Sequence, residues 1–385
     1  MPPSLVVIDL TSDAPPRVGG QAHTAIGDEG PRPWYKLSLP GAQSYHAFSQ
    51  PARDPLRCWP DVYDPMLDTS AWASAKDWRG VKGFQKNVKS DVGFEPATVN
   101  YAFNYLYDHI PSGCDQRHGY ALLFDVRNEA ELDRKCRNFY GALKYIHHYP
   151  IAERMGADLG CSSSLFYEQM LPTIYSMAAH IDFMDFNLRL WDYNHTEHFP
   201  ERVLMSWDGF PIRVACSSNR WVARLTKSKK YQDWVVKADL GIMLGPGFPI
   251  DYSLQLGVRN DSRMWMEHPR RRARMFPWEY ALGDKAYVGC PEFLTEYKGR
   301  NLQPDQRRWN NTLQFYRGRN EHQVMEVKTG RQSLDTRWRG SFAGLASVVR
   351  IVMHMVALQE RMKGPKYDCF GPWPVCPNSI VSRYV

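Results

Sequence analysis

Apolar positions at three- and four-residue intervals predict helices between residues 131 and 182. The clearest run is Leu132, Cys136, Phe139, Leu143 and Ile146, which forms one face of an amphipathic helix. Ile151–Leu159 predicts a second, shorter helix that stops at Gly160, and Ser162–Ser164 can cap a third helix over about 165–180. This order of helix, short helix, glycine-containing turn and helix predicts an all-α helix-turn-helix segment over 131–182.

The third of these helices would offer polar side chains to the major groove of DNA. Its first turns carry Ser163, Ser164 and Tyr167, and the second helix of a helix-turn-helix contacts bases through its N-terminal residues. The alternative is an ordinary three-helix packing unit that contacts no DNA.

The pattern changes to strands after Pro200. Val203–Ser206 leads to Trp207-Asp208-Gly209, and a further segment covers 211–215. Later strands are predicted over 231–238, with a turn at Gly241, and over 252–258 and 278–282. Residues 315–363 then predict helix. Strands followed by helices indicate an α/β domain over 196–365, with a mixed sheet flanked by helices.

The ends of the chain and the segment before the helices are less regular. Residues 1–33 are rich in Pro, Gly and Ala and predict a disordered tail, and 366–385 forms a C-terminal tail. Within the first tail, Val6–Asp13 is a β-branched run followed by acids; it resembles a SUMO-interacting motif, although a chance hydrophobic run fits as well. Residues 34–130 predict an irregular N-terminal region.

Composition narrows the choice of partners and compartment. The net charge of +7 and the pI near 8.9 suit a polyanionic partner such as nucleic acid. The eight cysteines include no C-x-x-C pair, which argues against a zinc ribbon and favours reduced thiols in a cytosolic or nuclear protein. No run approaches the roughly 20 apolar residues of a membrane span, so we expect no membrane partner.

Four carboxylates are candidates for metal binding. Asp208, Asp261 and Asp284 follow predicted strands, where ligands of open α/β sheets commonly bind. Glu321 shares one helical face with Arg317 and Lys328, so the acid could hold metal while the cations hold phosphate. Two Mg²⁺ or Mn²⁺ ions about 3.5–4 Å apart need such converging oxygen ligands. The alternatives are a turn at Asp208-Gly209 and a solvated pair at Arg317–Glu321.

Four motifs in order carry a family resemblance. They are W-D-G-F-P-I at 207–212, N-D-S-R at 260–263, L-G-D-K-A-Y-V-G-C at 282–290 and R-G-R-N-E-H at 317–322, with Lys328 seven residues beyond Glu321. The chain resembles the DDE-superfamily endonucleases of Harbinger-type transposases and their bacterial insertion-sequence relatives. It departs from their pattern at Gln314, where a tyrosine is common, and in a Gly/Pro-rich stretch between Lys230 and Asp261.

The resemblance implies an RNase H-like fold and a DNA-cleaving site. In such a fold one acid lies on the first strand, one after the fourth strand and one on a late helix, which implies Asp208, Asp284 and Glu321 as the catalytic acids. Asp261 matches another family acid and implies an auxiliary metal ligand or a stabiliser of the site. Whether Asp261 or Asp284 is the second acid of the triad stays open.

The resemblance also implies partners and a compartment. It implies two-metal cleavage of double-stranded DNA at transposon ends, strand transfer into target DNA, a homo-oligomer when active, a separate Myb-like DNA-binding partner and a nuclear location. The alternatives are a domesticated transposase that binds DNA without cleaving it, and an RNase H-fold enzyme that acts on RNA or a hybrid.

Basic clusters near the acids predict phosphate contacts. Lys229 and Lys230 precede a predicted strand, and Arg271 and Arg272 belong to a run of arginines. A nuclear-import signal or a solvated loop are the alternatives for the arginine run. Trp221, Trp234, Trp265 and Trp278 are interleaved with these cations and could stack on unpaired bases, but core packing is the expectation for most of them.

Overall fold

The computed structural model describes residues 88–111, 131–150, 154, 163–189, 203–277 and 279–363. The predicted tails 1–33 and 366–385, the SUMO-interacting run and most of the predicted short helix 151–159 lie outside these residues. The described helices are α1 (Val88–Val92), α2 (Pro96–Leu106), α3 (Glu131–His148), α4 (Ser163–His180), α5 (Arg220–Thr226), α6 (Asp261–Met266), α7 (Pro269–Ala273), α8 (Pro304–Lys328), α9 (Gln332–Asp335) and α10 (Phe342–Lys363). The strands are β1 (Val203–Arg213), β2 (Lys227–Ser228), β3 (Asp233–Met243), β4 (Pro249–Leu256), β5 (Tyr280–Leu282) and β6 (Phe293–Leu294).

A mixed six-stranded sheet flanked by helices forms the centre of the fold, as the sequence predicts. Strand β1 pairs antiparallel with β3 and parallel with β5. On the far side of β3, both β4 and the short β2 pair antiparallel with it, and β6 pairs parallel with β5 beyond the other edge. Strands β2 and β6 were not predicted, because two-residue strands show no periodicity in the sequence.

Strands β1 and β3 are both longer than the sequence predicts. The predicted end of β1 at Asp208 and the predicted turn at Gly241 were wrong, since both residues lie inside continuous strands. Gly241 pairs with Trp207, and a Cβ atom at Gly241 would lie 2.4 Å from the indole ring. Glycine is therefore required here by the space the tryptophan needs, rather than by a turn.

Apolar clusters cover both faces of the sheet. Phe210 and Ile212 of β1 belong to the large cluster that includes α10, whereas Met205 and Trp207 pack with Trp265 of α6. Alternate β1 residues thus point to opposite layers. Because β3 is buried nearly throughout, it lacks the alternation that would have marked its length in the sequence.

Helices α3 and α4 share their core with the sheet domain. Phe139 of α3 and Ile174 of α4 lie in the same buried cluster as Val349 of α10. Helices α1 and α2 join this cluster too, so 88–111, part of the segment predicted to be irregular, is helical and packed. The sequence predicts one helical stretch over 315–363. The structure has three helices there, α8, α9 and α10, and α8 begins before the predicted start, at Pro304.

Helix α10 is 22 residues long and has the length and apolar composition of a membrane-spanning helix. Its apolar side chains are nevertheless buried: 72% of that stretch lies inside the protein, in the core shared with α2, α4 and β4. Its apolar character is thus explained by its central place in the fold.

Candidate active site

Asp208 lies in the middle of β1, at a point where one neighbouring strand has ended. It pairs with Leu240 of β3 on one side. On the other side, β5 pairs with β1 only as far as Ser206. Asp208 therefore borders a crevice in the sheet, and its Oδ1 atom accepts the Gly209 backbone N–H at 2.9 Å.

Asp284 lines the same crevice from the end of β5. It caps a short 3₁₀ helix over Lys285–Tyr287, and its Oδ1 atom accepts the backbone N–H of Ala286 at 2.8 Å. Gly283 precedes it because the rings of Tyr287 and Phe293 would lie 2.7 Å and 2.5 Å from a Cβ atom at this position. The close packing fixes the chain just before the carboxylate.

Glu321 approaches the crevice from α8. The helix is continuous over 304–328, so the predicted common face of Arg317, Glu321 and Lys328 is present. The Glu321 side chain is 61% exposed, and its Oε1 atom lies 3.8 Å from the Arg317 guanidinium. Lys328, half-buried at the end of α8, lies two turns further on, at a rise of ~10 Å.

Asp208, Asp284 and Glu321 are close enough for their charges to interact. Burial raises the pKa of Asp208 to about 6; Arg317 opposes the rise, while Asp284 and Glu321 add to it. The positions come from a central strand, a loop after β5 and a late helix, so only the tertiary fold makes them neighbours. Mutual repulsion of this kind is what a bound cation relieves.

Asp261 belongs to the other side of β1. It is the first residue of α6, and its Oδ1 atom lies 3.2 Å from the Cβ position of Gly209. Successive strand residues point to opposite faces, so Asp261 lies against the face that Asp208 does not use. The buried ammonium of Lys237 pairs with Asp261 at 3.3 Å.

The donor set suits a hard divalent cation, which prefers carboxylate oxygens. The Oδ1 atoms of Asp208 and Asp284 each accept a hydrogen bond from a backbone N–H. The charges of Asp284 and Glu321 disfavour ionisation of Asp208 in the metal-free protein. Within the described ranges, no group of three His, Cys, Asp or Glu side chains is already closed around a cation position. Completing a site requires the exposed Glu321 side chain to turn from Arg317 toward the crevice.

Arg317 is held by a buried acid that the sequence analysis did not identify. Glu296 is 7% exposed and accepts from Arg317 at 2.9 Å while pairing with Lys285 at 3.1 Å. A charged residue in a T-E-Y segment gives no sequence signal, because only the fold brings it to α8. Glu296 thus holds Arg317 beside Asp208 and Glu321.

Arg319 and Asn320, inside the R-G-R-N-E-H motif, anchor α8 to the sheet. Arg319 donates to the carbonyl oxygens of Leu244 and Gly245 at 2.6 Å and 2.9 Å. The Asn320 amide donates to the carbonyl oxygens of Ser206 and Leu240 at 2.8 Å and 3.1 Å. These bonds fix the backbone of Glu321 relative to that of Asp208.

The structure places Arg271 and Arg272, both predicted to contact phosphate, in ion pairs with acids of the protein. Arg271 is 1% exposed, pairs with Asp239 at 3.0 Å and Asp251 at 2.9 Å, and covers the ring of Trp207. Arg272 pairs with Glu292 at 2.8 Å and is nearly buried. Asp239, expected in a turn, is instead the fully buried partner of Arg271 in β3.

Lys229 and Lys230 remain available on the turn between β2 and β3, where both are exposed. Partial burial lowers the pKa of Lys230, but Tyr231, Asp261 and Asp284 outweigh it and the pKa is raised overall. The turn therefore brings positive charge toward the acids. The side chains of Ser163, Ser164 and Tyr167, at the start of α4, lie outside the described part of the structure.

Tyr287 is a further buried residue beside the acids. Burial raises its pKa well above the ordinary value, and Asp239, Asp261, Asp208 and Asp284 reinforce the rise. Its hydroxyl group has no hydrogen-bond partner within the described residues. The tyrosine of the G-D-K-A-Y motif thus lies within electrostatic range of four acids.

The chain matches no protein-family model, no curated protein and no solved structure. The geometry of the site therefore carries the functional argument alone.

Proposed function

We propose that this chain is a divalent-metal-dependent DNA endonuclease of the DDE transposase type, built on an RNase H-like fold. The observation that carries the proposal is the coupling of three acids: Asp284 and Glu321 both raise the pKa of the buried Asp208. Arg317 lies beside Asp208 and Glu321 and partly balances their charge. Clustered acids are nevertheless typical of metal sites.

The order of the elements supports this assignment. When the two-residue β2 is set aside, Asp208 lies on the first strand of the sheet, Asp284 follows the fourth, β5, and Glu321 lies on the late helix α8. These are the three places where the RNase H-like DDE fold carries its acids. A mixed sheet with helices on both faces is compatible with that fold.

Asp284 is the better candidate for the second acid of the triad. It acts electrostatically on Asp208, whereas Asp261 is neutralised by the buried Lys237 on the other side of β1. We assign Asp261 a positioning role: its carboxylate fills the space above Gly209, beside Asp208.

The chain's own residues divide the work at a phosphodiester. Asp208, Asp284 and Glu321 would hold Mg²⁺ or Mn²⁺, with two ions by analogy with other phosphoryl-transfer sites. Bound there, the ions supply activation of the attacking oxygen and stabilisation of the leaving oxygen. Arg317, fixed by Glu296, and Lys230, on the turn above the acids, neutralise the phosphate charge.

DNA is the proposed substrate because cations lie near the acids: Lys230 interacts with Asp284, and Arg317 with Asp208. Lys229 and Lys230 are exposed and Lys328 lies on the same face of α8 as Glu321. The net charge of +7 adds a general attraction for a polyanion. The proposal also includes the partners and compartment that the family resemblance and the N-terminal motif imply: double-stranded transposon ends and target DNA, a Myb-like partner, SUMO, a homo-oligomeric state and a nuclear location.

A supercoiled-plasmid nicking assay with Mg²⁺ or Mn²⁺ tests the proposal. The variants Asp208→Asn, Asp284→Asn and Glu321→Gln keep the side-chain shapes and remove the charges; each should reduce nicking by at least about 100-fold. Asp305→Asn, at an exposed acid in the first turn of α8, is the matched control and should keep wild-type activity.

Two results would overturn or change the proposal. Nicking that survives in all three variants would exclude these acids from the reaction. DNA binding without nicking in the wild type would favour the domesticated, non-catalytic protein, a reading that the present Arg317–Glu321 pair already fits.

A further inference from the structure

Strands β1 and β3 are joined by a segment that carries an exposed tryptophan among cations. Helix α5 begins after Asn219, whose side chain accepts the backbone N–H groups of Trp221 and Val222. At the other end, the buried Thr226 donates to the Val222 carbonyl oxygen at 2.9 Å. Because both ends are fixed, the face between them is presented in a defined orientation.

The outer face of α5 is aromatic and basic. The Trp221 side chain is 53% exposed, although tryptophan usually packs in the interior. Arg220 and Arg224, both exposed, are four residues apart on the helix, and Arg224 lies three residues from Trp221. An exposed indole beside two guanidinium groups presents one stacking surface and two phosphate-binding groups.

This face is connected to the carboxylates by further cations. Lys227 covers the ring of Trp234 at 4.1 Å, and exposed Lys229 and Lys230 follow on the turn. Lys230 interacts with Asp261 and Asp284. Lys227 pairs with Trp234, six residues along β3 from Leu240, the partner of Asp208, which corresponds to ~20 Å along the strand.

We infer that the surface formed by Arg220, Trp221, Arg224 and Lys229, named here the α5 surface, binds an unpaired segment of the DNA that the carboxylates cleave. A duplex offers its base edges but not the faces of its bases, whereas an unpaired base can stack on an exposed indole. The inference rests on the proposed function, because it assigns the DNA that the carboxylates would cleave a single-stranded region that the α5 surface contacts.

The charge pattern favours nucleic acid over a protein partner. The four-residue set has three cations and one aromatic ring, and no exposed aliphatic side chain accompanies Trp221 on α5. A protein docking site would be expected to bury a larger apolar core. A second copy of this chain is the other occupant that the experiment must separate.

Binding of labelled DNA to the full chain tests the inference. The protein carries Asp208→Asn so that the DNA stays intact, and the probes are a blunt duplex and the same duplex with a single-stranded extension of about six nucleotides. We expect the extension to strengthen binding, and Trp221→Ala to weaken binding of the extended probe about tenfold while leaving the blunt probe within about twofold. Trp221→Phe should retain most of the preference.

Two controls separate stacking from charge and from misfolding. Tyr105→Ala removes another exposed aromatic side chain, on α2, and should leave both affinities unchanged. The double variant Arg220→Gln/Arg224→Gln should reduce the slope of log affinity against log salt concentration by about 1.4, because each single-strand phosphate contact contributes about 0.7.

The outcomes distinguish this inference from the proposed function. Equal affinity of Trp221→Ala and its parent for the extended probe overturns the inference alone, even if the wild type nicks DNA. If the protein prefers the extended probe in a Trp221-dependent way but shows no metal-dependent nicking, the proposed function is overturned and the α5 surface still binds unpaired DNA. Sedimentation shows whether Trp221→Ala loses a dimer that the parent forms. If it does, and the DNA preference is unchanged, the α5 surface serves self-association and the inference is overturned.

Discussion

The side-chain amide of Asn320 on α8 donates a hydrogen bond to the backbone carbonyl oxygen of Ser206 on β1, at 2.8 Å. The acceptor lies two residues before Asp208 and the donor one residue before Glu321. A single bond thus joins the helix that carries one candidate metal ligand to the strand that carries another. Since the amide is 1% exposed, water cannot replace it when it is removed.

We expect Asn320→Ala to lower the free energy of unfolding by about 1–3 kcal/mol, because two strand carbonyl groups lose a buried donor. Nicking should fall further than stability alone explains, since Glu321 loses its fixed distance from Asp208. Chemical denaturation and the nicking assay measure the two effects. Asn311→Ala, at an exposed position on the same helix, is the control; equal effects of the two variants would contradict the prediction.

The stability of the metal-free protein should depend on pH through Asp208. Its folded-state pKa of about 6 exceeds the ordinary 3.8, so the folded state favours the protonated acid. This stabilisation is complete below pH ~3.8 and is lost as the pH rises through about 6. At about pH 8 the loss amounts to about 2–3 kcal/mol, because one pKa unit corresponds to about 1.4 kcal/mol.

Asp208→Asn should therefore unfold at higher denaturant concentration than the wild type at about pH 8, and at a similar concentration at about pH 4. Added Mg²⁺ should raise the wild-type midpoint at about pH 8 and have little effect on Asp208→Asn. A variant no more stable than the wild type at about pH 8 would show that ionisation of the buried Asp208 does not destabilise the fold.

Arg271 should matter for stability rather than for DNA affinity. Arg271→Ala leaves Asp239 buried without its cation, and breaking such a pair costs about 3–5 kcal/mol. Arg274→Ala removes a half-exposed arginine whose nearest acid, Asp185, is 3.8 Å away, and should cost less than about 1 kcal/mol. Thermal unfolding compares them; a stable Arg271→Ala protein with weakened DNA binding would restore the phosphate-binding role.

Two glycine substitutions should have opposite effects. A Cβ atom at Gly241 would lie 2.4 Å from the Trp207 ring, whereas one at Gly318, inside α8, has no heavy atom within 4 Å. Gly241→Ala should destabilise the fold by about 1–3 kcal/mol through overpacking. Gly318→Ala should stabilise it by up to about 1 kcal/mol, because alanine is the better helix former. Denaturant midpoints of the two variants give the comparison, and matching shifts would contradict it.

The sequence by itself determined the local features whose periodicity is complete within a short segment. The amphipathic pattern of α3, the common face of Arg317, Glu321 and Lys328, and the mixed α/β character of 196–365 were all readable in this way, because helical faces follow from spacing alone. The same reasoning failed for β3, which is buried nearly throughout and so lacks alternation.

The tertiary structure alone decided which charges act at the surface and which acids face one another. In the sequence, Arg271 and Lys230 each belong to a basic cluster that predicts phosphate contacts. In the structure, Arg271 is neutralised by Asp239 in the core, whereas Lys230 is exposed and interacts with Asp284. Asp261 and Asp284 both follow predicted strands, yet Asp261 is paired with the buried Lys237 against Gly209, whereas Asp284 acts on Asp208. Strand pairing sets these relationships between residues far apart in the chain, and no local pattern records the register of that pairing.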